Sequence, residues 1–211
     1  MKTDDFIRAL AQDAPAHPGA ARQHALMLLA ASTFVVGVIL ATGFTFRTDI
    51  ADAGAWPTFH KLAVTLMMLA AGARGATLLM RPDAPLRDAL IWLAAPIAAM
   101  FTFIGADMAL NGGADLGSRV MGSSPLKCFA SVSLLSLAPL AAFLYGLREG
   151  ATTRPDIAGA LAGVAAGGLA ASLFALHCTE DSPLFVGVWY GLAIMLVGVV
   201  GWLAGRRVLQ W

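Results

Sequence analysis

Charged side chains are scarce in this chain. Asp, Glu, Lys and Arg make up 13% of its 211 residues, where soluble domains carry about 25%. At the same time 58% of the residues are hydrophobic and the mean hydropathy is +0.74. An ordinary water-soluble domain is excluded and a membrane protein is predicted. Neither sign of charge prevails, because fourteen Lys and Arg face thirteen Asp and Glu. No basic field exists to attract nucleic acid, and no direct nucleic-acid partner is expected. Cysteine is nearly missing too. The two present, Cys128 and Cys178, exclude a disulfide-dense scaffold, an all-cysteine zinc cage and a CxxC redox motif. A short basic leader is also lacking: MKTDDFIRALAQDAPAHPGAARQHA mixes acids and bases before the first apolar run, which reads as a retained tail rather than a cleaved signal.

Long apolar runs are what the chain has in abundance. A helix crossing the roughly 30 Å hydrocarbon layer needs about 20 mainly apolar residues. Six segments meet that length, at 25–46, 60–80, 89–110, 126–146, 157–176 and 184–204. In lipid each must satisfy its own backbone hydrogen bonds as a helix. The predicted fold class is therefore all-α, a polytopic bundle of six transmembrane helices. Its organisation is a tail at 1–24, a membrane domain at 25–204 and a short basic tail at 205–211. The connections carry turn-forming residues, as in RPDAPLRD, REGATTRPD and TEDSP.

Six spans put both termini on one side. That side holds Lys2, Arg8, Arg22, Arg81, Arg87, Arg148, Arg154, Arg206 and Arg207, nine of the fourteen bases. The opposite side has Arg47 and Arg119, with Lys61 and Lys127 at the membrane edge. The positive bias predicts that both termini are cytoplasmic, with the membrane lipids as surroundings. Arg74, the remaining base, is expected to snorkel towards the inner surface, about 10 Å from Arg81 along the helix. Gly159, Gly163 and Gly167 recur every fourth residue in the fifth run and predict a flat packing face. Pro96 and Pro139 are candidate kinks.

The stretch ALHCTEDSPLF at 175–185 concentrates polar chemistry between two apolar runs. Cys128 lies 19 residues before the turn at 147–156 and Cys178 lies 22 residues after it. With a rise of about 1.5 Å per residue the two thiols fall within roughly 4 Å of the same height, at the outer face. Antiparallel neighbours about 8–10 Å apart can bring facing cysteines to disulfide distance. A reduced, bridged or metal-bound pair remains open from spacing alone. In a bacterial inner membrane that face is oxidising. His177, Glu180 and Asp181 are candidate auxiliary groups there, although their spacing is not that of an established metal site, and no metal or cofactor is firmly predicted. Asp107 and His60 are weaker candidates, expected to be solvated at the interface.

In the tail, TDDFIRALAQDA offers Thr3 as a helix cap and Asp4 and Asp5 in the first turn. Phe6, Ile7 and Leu10 form an apolar edge. So short a helix needs a surface to fold upon, which makes these residues a candidate partner-binding segment, with APAHPGAARQH as its tether.

These features together resemble one family. TDDFIRALAQDA, the block from Lys127 to Ile194 with its LHC and DSPLFVGVWY, and the short basic C-terminus are similar to the NrsF family of bacterial integral-membrane anti-sigma factors. The resemblance implies a six-span inner-membrane protein whose cytoplasmic face sequesters an extracytoplasmic-function (ECF) sigma factor. It further implies that heavy-metal or oxidative stress, sensed through two periplasmic-side cysteines corresponding to Cys128 and Cys178, releases that factor to RNA polymerase. Such a protein is not an enzyme. Phe129 stands where the family more often has an aliphatic residue, and the His/Cys/Cys zinc domain of soluble anti-sigma factors is missing. The competing readings are a membrane thiol oxidoreductase, which would need a second cysteine pair or a quinone, and a small transporter or channel, which would call for ionisable residues at mid-membrane.

Overall fold

The computed structural model describes residues 3, 18–44, 47, 55–113 and 115–210. The tail residues Asp4, Asp5, Phe6, Ile7 and Leu10 lie outside the described residues. Among those described, every regular element is helical, and six helical stretches are long and apolar enough to cross a membrane. They run Leu26–Gly43, Thr58–Leu78, Leu86–Asn111, Leu116–Leu147, Pro155–Ala175 and Pro183–Val208. The all-α, six-span reading of the sequence agrees with this. The fourth stretch starts ten residues earlier than the hydropathy predicts, because a short helix, Leu116–Met121, precedes the break at Gly122 and the restart at Pro125.

Both suspected prolines mark irregular backbone. A proline lacks an N–H and crowds the carbonyl four residues back. The turn ahead of Pro96 tightens into a 3-10 segment, Ile91–Leu93. Ahead of Pro139 the fourth span breaks at Ser136, between Pro125–Leu135 and Leu137–Leu147. The sixth span has its own irregularity, a π-helical turn at Val186–Tyr190.

The fifth span is the axis of the bundle. Its glycine face meets the glycine face of the sixth span: a Cβ on Gly159 would lie 2.2 Å from the Gly201 carbonyl oxygen, and one on Gly163 would lie 2.3 Å from that of Val197. Backbones this close leave no room for any side chain, which explains the four-residue repeat. Gly168, a position the repeat does not include, admits the second span, since a Cβ there would lie 2.5 Å from the Leu69 amide nitrogen. The first and third spans pack outside this core and expose large apolar side chains such as Phe34 and Phe101, as lipid-facing helices do. Arg74 is exposed on the surface of the bundle, its guanidinium 5.9 Å from the centre of the Trp92 ring.

The candidate thiol site and its ionic clamp

Residues 176–182 form a non-helical loop between the fifth and sixth spans. The last turn of the fifth span hands over to it with the amides of His177 and Cys178 both bonded to the Phe174 carbonyl, at 2.9 and 3.1 Å. Cys128 sits in the first turn of a helix that Pro125 starts, where a proline costs no hydrogen bond, and its N–H donates to the Ser124 carbonyl at 3.2 Å. The two thiols face one another with 3.7 Å between sulfurs. Both are free of a bridge, and each is 4% exposed. The expectation of equal depth from the lengths of the hairpin arms is met, and the structure adds the facing.

Apolar packing encloses the pair with Val132, Phe174, Phe185 and Val186. Tyr190, from the π turn, is 1% exposed and packs its ring 6.2 Å from that of Phe174. Its hydroxyl lies beside the Cys178 thiol, close enough to interact electrostatically but without the geometry of a hydrogen bond.

A set of charges that sequence reasoning left at the membrane edge closes the site. Lys61 is fully buried. Its Nζ donates to the carbonyls of Cys178 at 2.9 Å and Glu180 at 2.8 Å, and to Asp181 Oδ1 at 3.0 Å. Asp181 also accepts both terminal nitrogens of Arg47, one of them at 2.6 Å, and the Arg47 amide bonds to the Leu176 carbonyl at 3.3 Å. Glu180 turns the other way. Its carboxylate accepts the Ser123 amide at 2.7 Å and the Ser123 hydroxyl. Gly122 has φ of 55°, a conformation that favours glycine, and a Cβ there would lie 2.6 Å from Glu180 Oε2 and 2.7 Å from the Phe185 ring.

His177 bonds through Nδ1 to the Leu173 carbonyl at 3.3 Å and meets the Phe44 ring edge-on at 6.4 Å. The three auxiliary candidates therefore diverge from the sulfurs, and among the described residues no group of three or more His, Cys, Asp and Glu is arranged to hold a metal ion. His60 is buried rather than solvated, with its ring against Phe103 and Nδ1 towards the Trp56 carbonyl. Asp107 pairs with Arg119. Lys127 reaches over the Phe44 ring at 5.4 Å.

The electrostatics are asymmetric. At Cys178 the hydrogen bond offered by the Cys128 S–H favours the thiolate, burial opposes it, and the Tyr190 hydroxyl and the Lys61 ammonium add to the first effect, so the thiol is held below its ordinary value. Burial alone would raise Asp181, but Arg47 and Lys61 outweigh it and hold the carboxyl below the usual carboxylate range.

Lys61, Arg47, Ser123 and Tyr190 were missed as site residues. A lysine just inside a long apolar run was the available signal for the first, because such a charge demands a partner. The others carry no such mark.

Two relatives match over their whole lengths. The chain is 33% identical over 221 aligned positions to the anti-sigma-F factor NrsF of Caulobacter vibrioides, covering 100% of both proteins. It is 32% identical over 217 positions to the probable anti-sigma-F factor NrsF of Azospira oryzae, again over 100% of both. No solved structure matches. The family described as "Negative regulator of sigma F" matches residues 10–211, and with that coverage the chain belongs to the NrsF family.

Proposed function

We propose that this protein is an anti-sigma factor of the bacterial inner membrane, regulatory rather than enzymatic, that holds an ECF sigma factor at its cytoplasmic face. On this reading heavy-metal or oxidative stress alters Cys128 and Cys178 on the periplasmic side and frees the factor. The family and the curated names of its relatives support the sigma-factor partner.

One observation carries the sensing half: two buried thiols 3.7 Å apart at one end of a membrane bundle. From van der Waals contact they need to close to about 2.05 Å to form a disulfide. The transfer of two protons and two electrons from the pair to a hydroperoxide forms that bond, breaks the O–O bond and leaves water and an alcohol. A soft cation with sulfur ligands at about 2.3 Å and near-tetrahedral angles needs a sulfur separation close to the one present. Closure to a disulfide repacks a core that also contains Phe174, Phe185 and Tyr190, and a bound cation would replace the two thiol protons within that same core.

The opposite end supports the orientation. Arg81, Arg87, Arg148, Arg154, Arg206 and Arg207 are all exposed there, as expected of a cytoplasmic face, and the amphipathic segment with Asp4, Asp5, Phe6, Ile7 and Leu10 is the docking arm of the proposal.

The direct test is co-purification of a sigma factor with the membrane protein before and after metal or peroxide challenge, in the wild type and in the C128S/C178S double variant. Stress should release the factor from the wild type only. An unchanged response in the double variant removes the cysteines from sensing, and retention of a factor after deletion of residues 1–17 removes the arm.

A further inference from the structure

The buried charges at Lys61 have no task in the scheme above. A fully buried ammonium is costly unless all three N–H donors find acceptors. Each acceptor of Lys61 belongs to the 178–181 stretch, being the carbonyls of Cys178 and Glu180 and the carboxylate of Asp181. Arg47 grips the same carboxylate, so both cations act on one loop.

The two cysteines are therefore held in different ways. Cys128 belongs to a helix and is positioned by that helix's own ladder. Cys178 lies past the last helical turn, and its carbonyl is bonded by a side chain from a span more than a hundred residues away in sequence. Without that side chain the Cys178 and Glu180 carbonyls would be left without this donor, and the loop would open to find water.

We propose that Lys61 is the positioning residue of the thiol pair, holding the Cys178 loop closed so that its sulfur stays buried against Cys128. Its biological meaning rests on the thiol-sensing reading, while its geometry stands apart from it. Arg47 and Asp181 assist: Arg47 bonds both carboxylate oxygens of Asp181, sharing Oδ1 with Lys61, and Glu180 on Ser123 ties the loop to the segment leading into the Cys128 helix.

The test is residue-resolved alkylation of the full chain in lipid vesicles with N-ethylmaleimide, read by peptide mass at Cys128 and Cys178 separately. In K61M, Cys178 should label at least about tenfold faster, while Cys128 stays within a factor of about two of the wild type. K61R should restore most of the protection, since a guanidinium can serve the same carbonyls and carboxylate. D181N should fall between, because the two carbonyl acceptors and an amide oxygen remain for Lys61 while the carboxylate charge it shares with Arg47 is lost.

Unchanged protection of Cys178 in K61M overturns the proposal. So does parallel exposure of both cysteines, the mark of general loosening, and so does a K61R variant that labels as fast as K61M. Should K61M fail to reach the membrane, D181N decides by the same split between the two cysteines. Sigma-factor release assayed in C128S/C178S separates the two ideas: a response that persists there ends the sensing reading and leaves the labelling split standing, whereas a missing split ends the positioning role alone.

Discussion

The two ends of the bundle are built from different chemistry. At the cysteine end the core contains two thiols and Tyr190 among its apolar residues, and buried Arg47 and Lys61 close over it. At the arginine end the buried cluster is purely apolar, with Ala76, Leu79, Leu140, Leu144, Leu161 and Leu209 among its members, and the charges stay outside. A buried charge must find its partners at fixed positions and so dictates where a loop lies. An exposed one is already satisfied by water and lipid headgroups, and so biases orientation without shaping anything. The difference teaches that the cysteine end is specified and the arginine end is merely polarised.

Mutation should separate the ends sharply. Lys61→Met, which leaves two carbonyls without this donor, is expected to lower stability by about 2–4 kcal/mol, measured by detergent-titrated unfolding in mixed micelles. A loss too small to measure would place the cysteine end in the same class as the other. Next in size is Gly122→Val, which forces a β-branched residue into a left-handed conformation against Glu180 and Phe185. It should cost about 1–3 kcal/mol and raise hydrogen exchange at the 176–182 amides.

Acidification sharpens the same contrast. The Asp181 carboxyl is held below its ordinary value by Arg47 and Lys61 against the opposing effect of burial. Its contribution is therefore fully present above the normal carboxylate range and is lost as the pH falls through the depressed value. In the C178S variant, which removes the thiol's own titration between pH 8 and 5, exchange of the loop amides, corrected for its intrinsic pH dependence, should stay flat from pH 8 to about pH 5 and rise only below about pH 4. A rise near neutrality would mean that another group controls the loop. The smallest effect is expected at the other end. The Arg81–Asp83 pair is 71% and 69% exposed, and Arg81→Ala should leave the unfolding midpoint where it was while weakening the positive bias of that face.

Much of this architecture could be read before any coordinates. All six spans follow from hydropathy, and the first, second, third and fifth begin and end within about three residues of the structure because apolar length is a local property. The small-residue face of the fifth span was visible as a repeat, but its partners, Gly198, Gly201 and Gly205 of the sixth, were not paired with it. The short helix before Gly122 was missed because six residues carry too weak a periodic signal. Within the site, Cys128 and Cys178 were found by rarity and height. Lys61 was placed at the membrane edge because its partners, two backbone carbonyls and Asp181, lie more than a hundred residues away, and backbone acceptors have no sequence signature.

By itself the sequence determined how many times the chain crosses lipid, the uneven distribution of positive charge between the ends, and the common level of its two cysteines. Each follows from a quantity that does not depend on neighbours: hydrocarbon thickness, the cost of an unpaired backbone, the rise of a helix. Only the tertiary structure decided that the sulfurs face one another and that Lys61 and Arg47 close over them. Facing depends on how the Cys128 helix is rotated and on where the Cys178 loop is held: backbone-to-backbone contact along glycines seats the second, fifth and sixth spans against one another, and Lys61 and Glu180 then fix the loop across spans far apart in sequence.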